Sequence, residues 1–110
     1  SLKLYPNVAH QVRNGTSITG YLEVYNLGVD ATSLKPDWDL SVSLLRDGKP
    51  VAIPEDAISR TFPFFKGDKL VVFWLQTMQV PESGPYDLRV EVKDKIKGVT
   101  VSAASALTIY

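Results

Sequence analysis

Between Lys69 and Gln76 the chain runs through six consecutive apolar residues, Leu70-Val71-Val72-Phe73-Trp74-Leu75. Alternate side chains of a strand point to opposite faces, so Leu70, Val72 and Trp74 share one face and Val71, Phe73 and Leu75 the other. An unbroken apolar run is what a strand covered on both sides looks like, whereas the outer face of a two-layer sandwich is normally wet. Three covers suit the second face. The segment Thr61-Phe62-Pro63-Phe64-Phe65 can fold over Trp74. Leu70, Val72 and Trp74 can meet another domain or protomer while Val71, Phe73 and Leu75 face the core. Trp74 can stand open as a ligand platform. The second arrangement is the one expected, although a one-residue slip exchanges the two sets.

The rest of the chain has the same short grain. No long segment keeps a helical apolar period, and β-rich runs alternate with turn signals instead. Residues 2–5 read as a strand stopped by Pro6. In 16–28, Ile18, Gly20, Leu22 and Val24 fall on one face, with Thr19, Tyr21, Glu23 and Tyr25 on the other. Residues 38–51 predict a hairpin in which Leu40, Val42 and Leu44 alternate with Ser41 and Ser43, turning at Asp47-Gly48. Residues 57–65 predict a short edge strand, because Pro63 has no amide to give to a ladder. A turn at 66–68 leads into the apolar strand. In 86–94, Tyr86, Leu88, Val90 and Val92 point in while Asp87, Arg89, Glu91 and Lys93 point out. The last strand, 98–110, predicts a bulge near Ala103-Ala104, where the alternation slips. About seven strands at this spacing predict an all-β, immunoglobulin-like antiparallel β-sandwich. The 110 residues suit one such domain, 1–110, excised from a longer protein.

Composition excludes several functions. Twelve basic residues balance twelve acidic ones, and Asp94 interrupts the lysines at 93, 95 and 97, so the basic patch that nucleic acid requires is missing. No apolar run approaches the ~20 residues of a membrane helix, which argues against membrane insertion. With no cysteine, disulfides and thiolate metal sites are ruled out. A catalytic triad or imidazole metal site would rest on His10 alone, with no neighbouring carboxylate to support it. Ser41 and Ser43 lie on a polar strand face without a nucleophile elbow around them. Asp30, Asp37 and Asp39, and the pair Glu55-Asp56, are the two carboxylate clusters, but neither has the spacing of a calcium loop. The chain is therefore expected to be no enzyme and to use no cofactor or metal.

Two stretches carry a family resemblance. Residues 12–28, VRNGTSITGYLEVYNLG, lead through spaced apolar residues into Val24-x-Asn26-x-Gly28. This resembles the opening of bacterial adhesion-type and CARDB-like extracellular β-sandwiches. Residues 84–98, GPYDLRVEVKDKIKG, resemble the closing strands of immunoglobulin-like and fibronectin-III-like modules appended to secreted bacterial proteins, where the tyrosine, here Tyr86, can form a corner. Trp38 stands where such folds often keep a core tryptophan. The resemblance implies a non-enzymatic accessory domain of a secreted or cell-envelope protein, structural or protein-binding, with neighbouring domains or another protein as partner. The expected interaction face is Trp74, Val72 and Leu70 with Tyr21 and Tyr25. Exposed aromatics also suit stacking on sugar rings, with Gln76 and Glu23 as polar partners, so a carbohydrate-binding module is the alternative.

Overall fold

The computed structural model describes residues 3–7, 9–53, 57–66 and 69–110. The strands are β1 (Lys3–Asn7), β2 (Gln11–Val12), β3 (Thr16–Tyr25), β4 (Trp38–Arg46), β5 (Lys49–Val51), β6 (Ile58–Lys66), β7 (Lys69–Met78), β8 (Gly84–Asp94) and β9 (Val99–Ile109). They form two sheets, β1-β3-β7-β6 and β2-β9-β8-β4-β5, called here the first and second sheet. Every pairing is antiparallel except β2 with β9. Lettered in chain order the sheets read A-B-E-D and A′-G-F-C-C′, the strand order of an immunoglobulin-type sandwich. The two strands beyond the expected seven are β2 and β5, of two and three residues.

Inner faces follow the period-2 pattern. Leu22 and Val24 of β3, Leu44 of β4, and Tyr86, Leu88, Val90 and Val92 of β8 are buried, while Trp38, Leu40 and Val42 pack against them half-buried. Asp47 and Gly48 close the β4–β5 hairpin with positive φ at both positions, 51° and 76°, as a two-residue hairpin turn of the primed kind requires.

The strand at 70–75 turns the opposite way from the expectation. Leu70, Val72 and Trp74 are 1%, 0% and 0% exposed, and Phe73 is 44% exposed. The reason lies on the neighbouring strand. Gly20 stands opposite Trp74, and a Cβ on Gly20 would come within 2.2 Å of the indole ring. The missing side chain is the space into which the indole packs, so the register of β3 selects Trp74's set as the inner one. Gln76 goes inward with it, 1% exposed, where its Oε1 accepts a hydrogen bond from Trp74 Nε1 at 3.0 Å.

The edge strand expected at 57–65 is β6, beside β7, so the alternative in which 61–65 folds over Trp74 does not occur. Two other expectations change. Pro6 does not end β1, which runs on to Asn7 along the edge of the first sheet. β9 pairs with β8 without a break from Val99 to Ile109, so there is no bulge at Ala103-Ala104. Alanine and serine occupy both faces of that strand, which blurs its alternation without disturbing its register. Of the expected turn at 66–68, Lys66 ends β6, and residues 67–68, like the acid pair Glu55-Asp56, lie outside the described residues.

Prolines mark the edges. β1 and β6 flank the first sheet and β5 closes one side of the second; they contain Pro6, Pro63 and Pro50. A proline in an edge strand points its missing donor outward and blunts pairing with another chain.

Candidate functional site, an aromatic sheet face

The outward-facing residues of the two sheets differ in kind. The second sheet presents Asp39, Ser41, Asp87, Arg89, Lys93, Ser102 and Ala104 to water. The first presents Tyr21, Glu23 and Tyr25 from β3, Lys69, Val71, Phe73 and Leu75 from β7, and Arg60, Phe62, Phe64 and Lys66 from β6. Register fixes this set, since Tyr21 stands opposite Phe73, and Phe73 opposite Phe62. Phe62, Phe64 and Phe73 are 44%, 63% and 44% exposed. The Tyr21 and Phe73 rings pack with centroids 4.9 Å apart and a tilt of 58°, an arrangement that aromatic quadrupoles favour.

Of the expected interaction residues, Leu70, Val72 and Trp74 are therefore core, a correction that follows from the space at Gly20. Tyr21 and Tyr25 do lie on the outer face, half-buried. Phe62, Phe64 and Phe73 take the place of the buried three. A signal for them was present in the sequence. A proline in an edge strand leaves its two neighbours on the same face, here Phe62 and Phe64.

Polar groups on this face satisfy one another. Glu23 Oε1 accepts from Tyr21 Oη at 2.5 Å and pairs with Lys69 Nζ at 2.8 Å, while Oε2 accepts from Tyr25 Oη at 3.0 Å. Lys69 Nζ also lies 5.7 Å from the centre of the Tyr25 ring. The Lys69 ammonium, followed by the Tyr21 hydroxyl, holds the Glu23 carboxyl down from its ordinary 4.5 to about 2. The same carboxylate raises the Tyr21 and Lys69 values. A carboxyl with a lowered folded-state pKa stabilises the fold above its unfolded value and loses that contribution as pH falls toward the folded one. The stability difference between wild type and Glu23→Gln is thus expected to be full above about pH 5 and to shrink between 4.5 and 2, read by thermal melts of both proteins across that range. A constant difference would mean that the network carries no proton linkage.

The remaining sequence candidates serve the frame. Tyr86 Oη donates to the Glu82 carbonyl at 2.5 Å and accepts from Arg46 at 3.2 Å. This is a tyrosine corner, with the ring under the Arg46 guanidinium at 5.3 Å. Asp37 and Asp39 both face Lys95 Nζ, at 3.9 and 3.3 Å, and among the described residues no group of three metal-ligating side chains assembles. His10 borders a groove of about 490 Å³ with Asp47, Asp87, Tyr86 and Thr108. Its Nδ1 lies 3.4 Å from the Ala106 carbonyl, at the surface. In the sequence Asp94 stood out only as the break in a run of lysines. Fully buried, it accepts from the backbone amides of Gly28, Ile96 and Lys97 at 2.7, 3.0 and 3.1 Å, fastening the loop after β3 to the turn after β8.

The chain matched no protein-family model, no curated protein and no solved structure.

Proposed function

We propose that this sandwich is a non-enzymatic structural and protein-interaction module that docks a partner through the outer face of its first sheet. The aromatic surface on that face carries the reading. Phenylalanines at 62, 64 and 73 with the exposures given above leave on the order of 300 Å² of ring surface in water. That is within the size range of the largest apolar patch on a soluble monomer, which is often functional. Covering it is worth roughly 7 kcal/mol before the costs of association. Edge prolines at 6, 50 and 63 oppose strand addition, so contact through the face is the mode that fits.

Sugar binding is less well supported. A sugar site needs an aromatic platform with free hydrogen-bonding groups beside it. Trp74 and Gln76 are buried, and the Glu23 carboxylate is occupied by Tyr21, Tyr25 and Lys69. The resemblance of residues 12–28 and 84–98 supports an immunoglobulin-like or fibronectin-III-like accessory domain of a secreted or cell-envelope protein.

A photo-crosslinking benzoylphenylalanine at position 64, in the chain as its own cell makes it, tests the reading against the same group at position 102 on the second sheet. Discrete protein adducts at 64 that are absent at 102 are expected. Equal labelling at both positions, or none at 64, would remove the docking role.

A further inference from the structure

We propose that the alternation Arg60-Phe62-Phe64-Lys66 on β6 selects what covers this face: a different protein, apolar at its contact centre and carrying carboxylates at both ends, in preference to a second copy of this chain. The inference rests on the docking reading above. Residues 60, 62, 64 and 66 fall on one side of a strand, so the backbone positions that carry the two cations lie about 20 Å apart with two phenylalanines between them. The Arg60 guanidinium lies 5.1 Å from the centre of the Phe62 ring, which holds its charge against the aromatic surface. Among the described residues neither Arg60 nor Lys66 has a carboxylate within ion-pair distance.

Among the described side chains of the face, the remaining charges cancel. Lys69 is paired with Glu23 at 2.8 Å, and Glu23, the sole carboxylate among the described residues of this face, is further engaged by two tyrosine hydroxyls. The chain as a whole is neutral, with twelve residues of each sign, whereas the described side chains of the aromatic face carry an excess of positive charge.

A two-fold contact between copies would bring two Arg60 and two Lys66 together on one patch, with no free carboxylate among the described residues of the face to meet them. Like charges across an interface suppress the wrong partner. A head-to-tail contact onto the second sheet of another copy would lay phenylalanines on Asp39, Ser41, Asp87 and Arg89, which leaves polar groups dehydrated. A partner with two carboxylates spaced to meet Arg60 and Lys66, and aliphatic or aromatic residues between them, satisfies both the charge and the ring surface.

Two cyclised β-hairpin peptides test this, identical in their central valines, one ending its exposed face in glutamates and the other in lysines. Each is titrated into the isotope-labelled domain and followed by amide shifts in NMR spectra. The expected result is shifts confined to β3, β6 and β7, with the glutamate peptide binding about tenfold tighter at low salt. That preference should fade in molar salt and reverse in the double variant R60E/K66E. Equal binding of both peptides at this face would overturn the charge selection and leave the docking face intact. Shifts elsewhere, or none from either peptide, would overturn both readings. A concentration-dependent dimer in sedimentation that Phe64→Ser abolishes would name a second copy as the occupant and overturn the proposal.

Discussion

Gly20→Ala is expected to destabilise the fold by about 3 kcal/mol or more, an unusual result for the smallest possible side-chain addition. The added methyl would lie 2.2 Å from two indole carbons of Trp74, far inside contact distance. Trp74 has little room to retreat, since it is fully buried and its Nε1 is tied to Gln76 Oε1 at 3.0 Å. The clash must therefore be relieved by a rotamer change or by separating β3 from β7, and tightly packed interiors yield poorly to either. Trp74→Ala should cost a similar ~3–5 kcal/mol for the opposite reason, a cavity in place of a ring. The two effects are coupled because each residue defines the other's space. Gly20→Ala placed in a Trp74→Leu background should cost much less than in the wild type, a non-additivity of more than about 1 kcal/mol. Urea unfolding of the four proteins measures it, and strictly additive effects would show that the two residues do not share that volume.

Asp94→Ala is expected to cost about 2–4 kcal/mol. It would leave three part-buried backbone amides, of Gly28, Ile96 and Lys97, without the buried carboxylate that accepts from them. Asp94→Asn keeps the shape and one acceptor oxygen but turns an NH2 group toward one of those donors, so an intermediate loss is expected. Amide hydrogen exchange separates local from global effects. In Asp94→Ala the Gly28 amide should lose its protection first, before the amides of β7. Retained protection at Gly28 would mean that the loop is held by other contacts, such as the packing of Ile96 against Gly28, where a Cβ would meet the isoleucine at 2.9 Å.

How far the sequence could be read depended on where the deciding information lay. In β3 and β8 it lay within the strand. Leu22 and Val24 against Glu23, or Leu88, Val90 and Val92 against Arg89 and Glu91, leave one possible inner face. Tyr86 was legible as a corner from the resemblance of residues 84–98, and its partner, the Glu82 carbonyl, lies only four residues upstream. In β7 both sets from 70 to 75 are apolar, and what separates them is Gly20, some fifty residues away in sequence. The chain did contain a weaker local cue. Continuing the alternation past Leu75 places Met78 and Val80, both buried, in the set of Trp74, and Thr77 and Gln79 in the other. Gln76 obscured that cue by being a polar residue on the inner face. The docking face was half legible for the same reason. Tyr21 and Tyr25 follow from the alternation of β3, whereas Phe62 and Phe64 gain their meaning from the placement of β6 next to β7, a pairing that links segments across the chain.

The edge prolines set how this protein is expected to fail in storage. While β6 stays in place, the first sheet offers neighbouring molecules an edge interrupted at Pro63, and the adhesive segment of the chain sits one strand further in. That segment is β7, ten residues from Lys69 to Met78 without a proline, rich in the β-branched and aromatic residues that assemble into cross-β fibrils. Opening of β6 alone, well short of global unfolding, uncovers its edge from Lys69 to Gln76. The shelf life of a concentrated solution should then follow the rate at which one edge strand detaches, whatever the melting temperature of the whole domain.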